Sequence, residues 1–533
     1  MAPAAAVAHL RRRCLSVGTS STAQLRRCAG SCCVRAASRT FATSPTARKG
    51  TKSFQDGPFD PYNAIVATLP CSKPTSGKTM EGPLTGWTAA VKANFCVRNT
   101  PTTCSSAMLE NFTPTFDAAS VSLLRKAGAD IRHITNCDEF GMGSTNTHSI
   151  HGSVRNPASP TTSNEGQAWD LEVERVAGGS SGGSAAAVRA GLAKFALGSD
   201  TGGSVRLPAA YCGVVGFKPS YGLISRWGLV SYADSLDTVG VLARTVEDVE
   251  AVHDALAQHD SRDPTSASED ARMKAATTSQ SVLSSLNSSS QPLKGLRVGI
   301  PKEYFPEELH SRVLPPFRSA VSALEALGAE ISSISLPSTR SALSAYYIIS
   351  SAEASSNLAR YDGVQYGFHK PPVAGHHAYA ATRTAGFGDE VRKRILLGTF
   401  ALTADAFDNF FLQASRIRAQ VQEDFASVLR IANPSRKEEK EKGQGVDVIV
   451  HPSAVDTAPT LAAAMQEGEG GLGEYVQDIL TVPASLAGLP AISVPAGVAH
   501  DDGWPAGVTL VSQWGCDKLL LHVAKQLQSL LEA

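Results

Sequence analysis

The chain has 533 residues, with 49 Lys+Arg balanced by 49 Asp+Glu, 42% hydrophobic and 18% charged residues. A formal net charge of zero excludes a globally basic nucleic-acid binder and a strongly acidic disordered chain, and the apolar content is enough for a large buried core. Length alone allows two domains or one large α/β domain with insertions.

The charge is unevenly spread. No acid precedes Asp56, whereas Arg11, Arg12, Arg13, Arg26, Arg27, Arg35, Arg39, Arg48, Lys49 and Lys52 all do, among many Ala, Ser and Thr. That composition is expected of a mitochondrial transit peptide over residues 1–41, cut after Phe41, and its arginines argue against a secretory signal. A flexible segment over 42–55 would follow. With such a cut, seven arginines and no acid leave, so the mature chain carries about −7. Four of ten cysteines lie in the leader. Cys71, Cys96, Cys104, Cys137, Cys212 and Cys516 form no CxxC pair, so free thiols are expected and a zinc ribbon is not. No apolar run reaches the length of a membrane span.

Helix and strand signals then alternate. Asp117–Gly128 reads as a helix capped by Asp117 and closed by glycine, with a strand over Ala129–Ile134. Ser184–Lys194 reads as a small-residue helix leading into a strand at Phe195–Gly198. Leu296–Ile300 and Val446–Val450 are further buried strands. Ser159–Gln167 and the mixed-charge Lys437–Lys442 read as solvated insertions, and 258–292 as a flexible one. Lys518–Leu531 is amphipathic and is expected to pack on its own domain. The alternation argues for an α/β core with covered sheets.

The chemistry concentrates between Val176 and Tyr221. Gly178-Gly-Ser-Ser-Gly-Gly-Ser184 is followed, after a helix, by Asp200-Thr-Gly-Gly-Ser-Val-Arg206. No lysine follows the glycines as a Walker loop needs, and the dinucleotide spacing fails. Gly178-x-Ser180-x-Gly182 matches a nucleophile elbow weakly, since the run is so rich in both residues. One such run would read as a capped glycine loop; two bracketing a helix point to chemistry. In a serine amidase, Thr201, Gly202 and Gly203 would form a nest of backbone N–H groups for an oxyanion, with Ser204 as nucleophile inside it. Ser180 could relay a proton. Lys92, in the apolar run Trp87–Phe95, would be the base, because desolvation favours the neutral amine.

Val91-Lys92-x-Asn94 and the two glycine–serine runs together resemble the amidase-signature family. The resemblance runs from about Asp56 to the C-terminus, so 56–533 is expected to be one amidase domain with a large mixed central sheet covered by helices on both faces. It implies a Ser–cis-Ser–Lys triad of Ser204, Ser180 and Lys92, with the cis peptide at the first Ser-Ser bond. Asp138–Ser144, Gly213–Gly222, Ser351–Gly363, Arg394–Ala401 and Asp478–Pro490 narrow the resemblance to the family's tRNA-amidotransferase members. By that resemblance Arg394 and Asp478 hold the carboxylate and amino groups of glutamine, and Tyr346, Met142 and Ser144 line the pocket. It further implies a glutaminase working in mitochondrial translation, in a heteromeric complex with a B-type kinase/transamidase subunit and a small stabilising subunit. No cofactor is expected here. ATP, Mg and Glu-tRNA(Gln) would be handled through the partners, in keeping with a mature chain that lacks a basic patch or phosphate loop. A free-standing amidase and a silent scaffold subunit are the competing expectations. Ala93, Leu207 and Ala177 depart from the family's usual Asp, Gln and Pro, and the first bears on how Lys92 is oriented.

Overall fold

A computed structural model describes residues 60–71, 82–158, 170, 173–286, 291–375, 377–435, 443–467 and 473–532. The leader, the insertion at 159–167 and the charged run at 437–442 lie outside the described residues. Eleven strands form one mixed sheet: β1 (Ile65–Thr68), β2 (Thr88–Lys92), β3 (Asp130–Thr135), β4 (Phe195–Asp200), β5 (Val215–Lys218), β6 (Thr238–Ala243), β7 (Arg297–Pro301), β8 (Glu330–Ile334), β9 (Val448–Pro452), β10 (Ala491–Val498) and β11 (Pro505–Ser512). Their order is β1-β3-β2-β4-β6-β5-β10-β11-β9-β7-β8. Two parallel stretches, β3-β2-β4 and β9-β7-β8, flank an antiparallel centre.

Covered sheets leave both faces of a strand apolar, and β2 shows it. Ala89 and Val91 enter the largest core cluster, while Ala90 enters a second cluster on the other face. There Ala90 meets the helix α1 (Gly182–Arg189), whose Ala185, Ala186 and Ala187 are all fully buried. The period of two therefore sends Lys92 to the α1 side, where Ser180 and Ser181 precede the helix. Because β2 and β4 are parallel neighbours, with Val91 opposite Leu197, Lys92 and Ser199 leave the sheet at the same end.

The described elements sharpen several expected ones. Asp117 is no helix cap: its carboxylate accepts from Arg98 N at 2.8 Å and pairs with Arg125 at 3.3 Å, and the helix starts at Ala119 uncapped by a side chain. The segment 258–292, expected to be flexible, carries α2 (Glu269–Ser285). Ser268 caps that helix, and its Val282 joins the core. Ser279 Oγ accepts from Leu519 N on α3 (Asp517–Leu531). The Ser- and Thr-rich composition hid a helix that buries only Ala275, Ser279 and Val282. The C-terminal helix α3 packs within its own chain, as expected, burying Leu519, Leu520, Leu521, Val523, Ala524 and Leu527. Among the described residues no single helix is long and apolar enough to cross a membrane.

Candidate active site

At the shared end of β2 and β4, Lys92 is fully buried. Its Nζ lies 2.7 Å from Ser180 Oγ, 2.9 Å from Ser181 Oγ and 2.9 Å from Ser199 Oγ. Asn94 Nδ2 donates to the same Ser199 hydroxyl at 3.0 Å. Among the described residues no carboxylate comes within 4.0 Å of the ammonium. Burial therefore dominates and pushes the Lys92 pKa down, against the more distant pull of the Cys137 thiol and of Asp138, Asp200 and Asp237. Ala93, buried beside it, brings no carboxylate that would favour the charged form.

The cis peptide is Gly179–Ser180, one bond earlier than expected. Gly179 has no side chain to collide there; a Cβ would lie 2.1 Å from Asp138 Oδ2. The two serine runs are joined by Ser181 N donating to Ser204 O at 3.1 Å. Ser204 retains 9% exposure, whereas Lys92 and Ser180 have none, so of these three side chains it alone is open to a substrate. Its Oγ has no hydrogen-bond partner among the described residues, and neither do the N–H groups of Thr201, Gly202, Gly203 and Ser204. Donors left free in this way suit a developing oxyanion.

The loop carrying them is built stiffly. Thr201 Oγ1 donates to Asp237 at 2.7 Å. Asp200 receives Arg206 Nε and Nη2 at 3.0 and 2.8 Å and Val205 N at 3.2 Å, all fully buried. Burial alone would raise the Asp200 pKa, but the Arg206 guanidinium more than offsets it and holds the carboxyl below its usual range.

The predicted pocket residues form a second cluster. Asp478 accepts from Ser144 Oγ at 3.0 Å and from Tyr347 OH at 2.8 Å. Its pKa is raised to about 6, mainly by burial. Arg394 donates to Glu390 at 2.7 Å and Tyr232 OH at 2.8 Å, and its guanidinium stacks 5.1 Å from the Tyr347 ring centre. Tyr346 is buried against Gly202, where a Cβ would meet its ring at 2.5 Å. Ser144 O accepts from Gly179 N at 2.8 Å, which ties the pocket to the cis-serine turn. Met142 is fully buried in the adjoining apolar cluster, with no polar group to offer.

Sequence reasoning missed Ser181, Ser199, Tyr232, Tyr347 and Glu390. Ser181 lies inside the first quoted run and Ser199 one residue before the second, and Glu390 stands four residues before Arg394 on one helix, a spacing that places them side by side. Tyr232 had no local signal.

The Amidase family model matches residues 71–521. The chain is 71% identical to the A-type subunit of mitochondrial glutamyl-tRNA(Gln) amidotransferase from Mycosarcoma maydis, covering 97% of this chain and 98% of that one. It is 47% identical to the same-named protein of Fusarium vanettenii over 82% and 86% of the two chains. Among solved structures it resembles the A-type glutamyl-tRNA(Gln) amidotransferase subunit of Thermotoga maritima, with a TM-score of 0.66 and 33% identity over 87% of each chain. Kluyveromyces lactis allophanate hydrolase shares the fold, with a TM-score of 0.66 and 26% identity over 88% of this chain and 67% of that one.

Proposed function

The chain belongs to the amidase family, and from that premise we propose that it is the glutamine-hydrolysing, A-type subunit of mitochondrial glutamyl-tRNA(Gln) amidotransferase. It works in the mitochondrion as one member of a heteromeric complex. The observation that carries the catalytic reading is Lys92 Nζ 2.7 Å from Ser180 Oγ in a shell of neutral hydroxyls.

In the reaction, the neutral Lys92 amine takes the Ser180 proton while Ser180 takes that of Ser204. Ser204 Oγ then bonds to the side-chain amide carbon of glutamine. The carbonyl oxygen gains the negative charge and is held by the N–H groups of the Thr201–Ser204 loop. Collapse breaks the C–N bond, and the proton returns through Ser180 to the departing ammonia. Water repeats the sequence on the glutamyl ester and releases glutamate. Arg394 holds the substrate carboxylate and Asp478 its ammonium group, with Tyr346 closing the pocket.

Ammonia passes to the kinase/transamidase subunit, which uses ATP and Mg to amidate Glu-tRNA(Gln), while a small subunit stabilises the assembly. The amidase domain spans 56–533, and processing follows Phe41. In the complete complex, Ser204→Ala should abolish glutamine hydrolysis and glutamine-driven amidation while amidation from added ammonium persists. Unchanged glutamine-driven amidation would make this chain a scaffold.

A further inference from the structure

One buried hydroxyl outside the triad stands between the two clusters. Thr481 is fully buried, and its Oγ1 donates to Gly202 O at 2.6 Å. The same oxygen lies 3.1 Å from Asp478 O, to which Thr481 N also donates at 3.1 Å. From the other side, Thr481 O accepts from Arg206 Nη1 at 2.8 Å, and Arg206 is locked to Asp200. We propose that Thr481 is a positioning residue that sets the oxyanion loop and fastens it to the turn that binds the glutamine amino group.

The geometry follows from the planar peptide. The C=O of Gly202 and the N–H of Gly203 point to opposite sides of one rigid unit. Holding the carbonyl on Thr481 turns the N–H away from Thr481. Both faces of this unit are closely packed. A Cβ on Gly202 would meet Tyr346, and one on Gly203, at φ +154°, would lie 2.2 Å from Thr481 Oγ1. Only glycines let these neighbours approach so closely. Because Asp478 belongs to the same turn as Thr481, the group that recognises the substrate ammonium and the group that sets the oxyanion donor share one short segment. This inference rests on the glutaminase reading.

The test uses the complete heteromeric complex. Thr481→Val keeps the shape and removes the O–H. The kcat for glutamine hydrolysis should fall about 10- to 50-fold with KM within about threefold, less than the loss of a whole oxyanion donor. Thr481→Ser should restore kcat to within about threefold of the parent. Glutamate γ-semialdehyde, an aldehyde that forms a tetrahedral adduct with Ser204, should bind about tenfold more weakly to the Val variant, while glutamate binds equally well. An unchanged kcat in the Val variant, a rise in KM alone, or a Ser variant as poor as Val overturns the proposal. If Val does not assemble, Thr481→Ala carries the same comparisons, and failure of both to assemble makes Thr481 a folding residue and overturns it too. A parent complex that cannot hydrolyse glutamine would instead sink the glutaminase reading.

Discussion

The two halves of the site surround their charges with different partners. Around Lys92 every direct partner is a neutral hydroxyl, and the acids that pull on the ammonium stand farther off. Around Arg394 and Asp478 the charges are kept, through Glu390, Tyr232, Ser144 and Tyr347. A base must be able to lose its proton, so its surroundings disfavour its charge. A pocket for a zwitterionic substrate must hold both charges at neutral pH: burial opposes the Arg394 charge but the tyrosines and Glu390 hold it, and the bonds from Tyr347 and Ser144 limit the rise that burial imposes on Asp478.

The largest effects should come from breaking the first half. Ser204→Ala and Lys92→Met should each lower kcat for glutamine hydrolysis on the order of 10⁴-fold or more, measured by ammonia release. Lys92→Arg should fail as badly, because a guanidinium stays charged. In the parent, kcat/KM should rise with pH along an arm below the usual lysine range, as the buried amine loses its proton.

Breaking the second half should act on binding. Asp478→Asn preserves shape and should raise KM for glutamine about 10- to 100-fold with a smaller loss in kcat. Since burial raises the Asp478 pKa to about 6, KM in the parent should climb as pH falls below that value, when the neutral acid no longer attracts the substrate ammonium. The Asn variant should lose this dependence.

The smallest effect concerns the support of the Ser144 loop. His148 and Glu474 pair at 3.0 Å, and Glu474 also accepts from Ser144 N. Burial works against both charges, but the bond between them wins: His148 is held up at about 9 and Glu474 down at about 2. The His148 contribution is complete below pH 6.5 and is lost as pH rises through about 9. The Glu474 contribution is present above pH 4.5 and is lost as pH falls through about 2. His148→Gln should cost about 1–3 kcal/mol at neutral pH, read by thermal unfolding, and should remove the alkaline loss.

Much of the catalytic half was legible because its residues sit in two short runs and one strand, where glycine density and a lysine in an apolar stretch are local signals. Lys92 points toward Ser180 because strand alternation requires it once α1 covers that face. The pocket was legible only through resemblance. Arg394, Asp478 and Ser144 come from three distant segments, and no periodicity brings them together. Tyr232 reaches Arg394 across 162 positions, which no local pattern encodes. Composition misled at 258–292, where tertiary packing against α3 overrode a sequence poor in apolar residues. The cis bond falls one position before the Ser-Ser pair, at Gly179, where only a residue without a Cβ fits against Asp138.

Labelling the complete complex with an electrophilic glutamine analogue and mapping the modified peptide tests the central claim most directly. The label should fall on Ser204 in the parent and vanish in Lys92→Met, with excess glutamine protecting. A label on another residue, with glutamine still protecting, would contradict the assignment of Ser204 as nucleophile and Lys92 as its base.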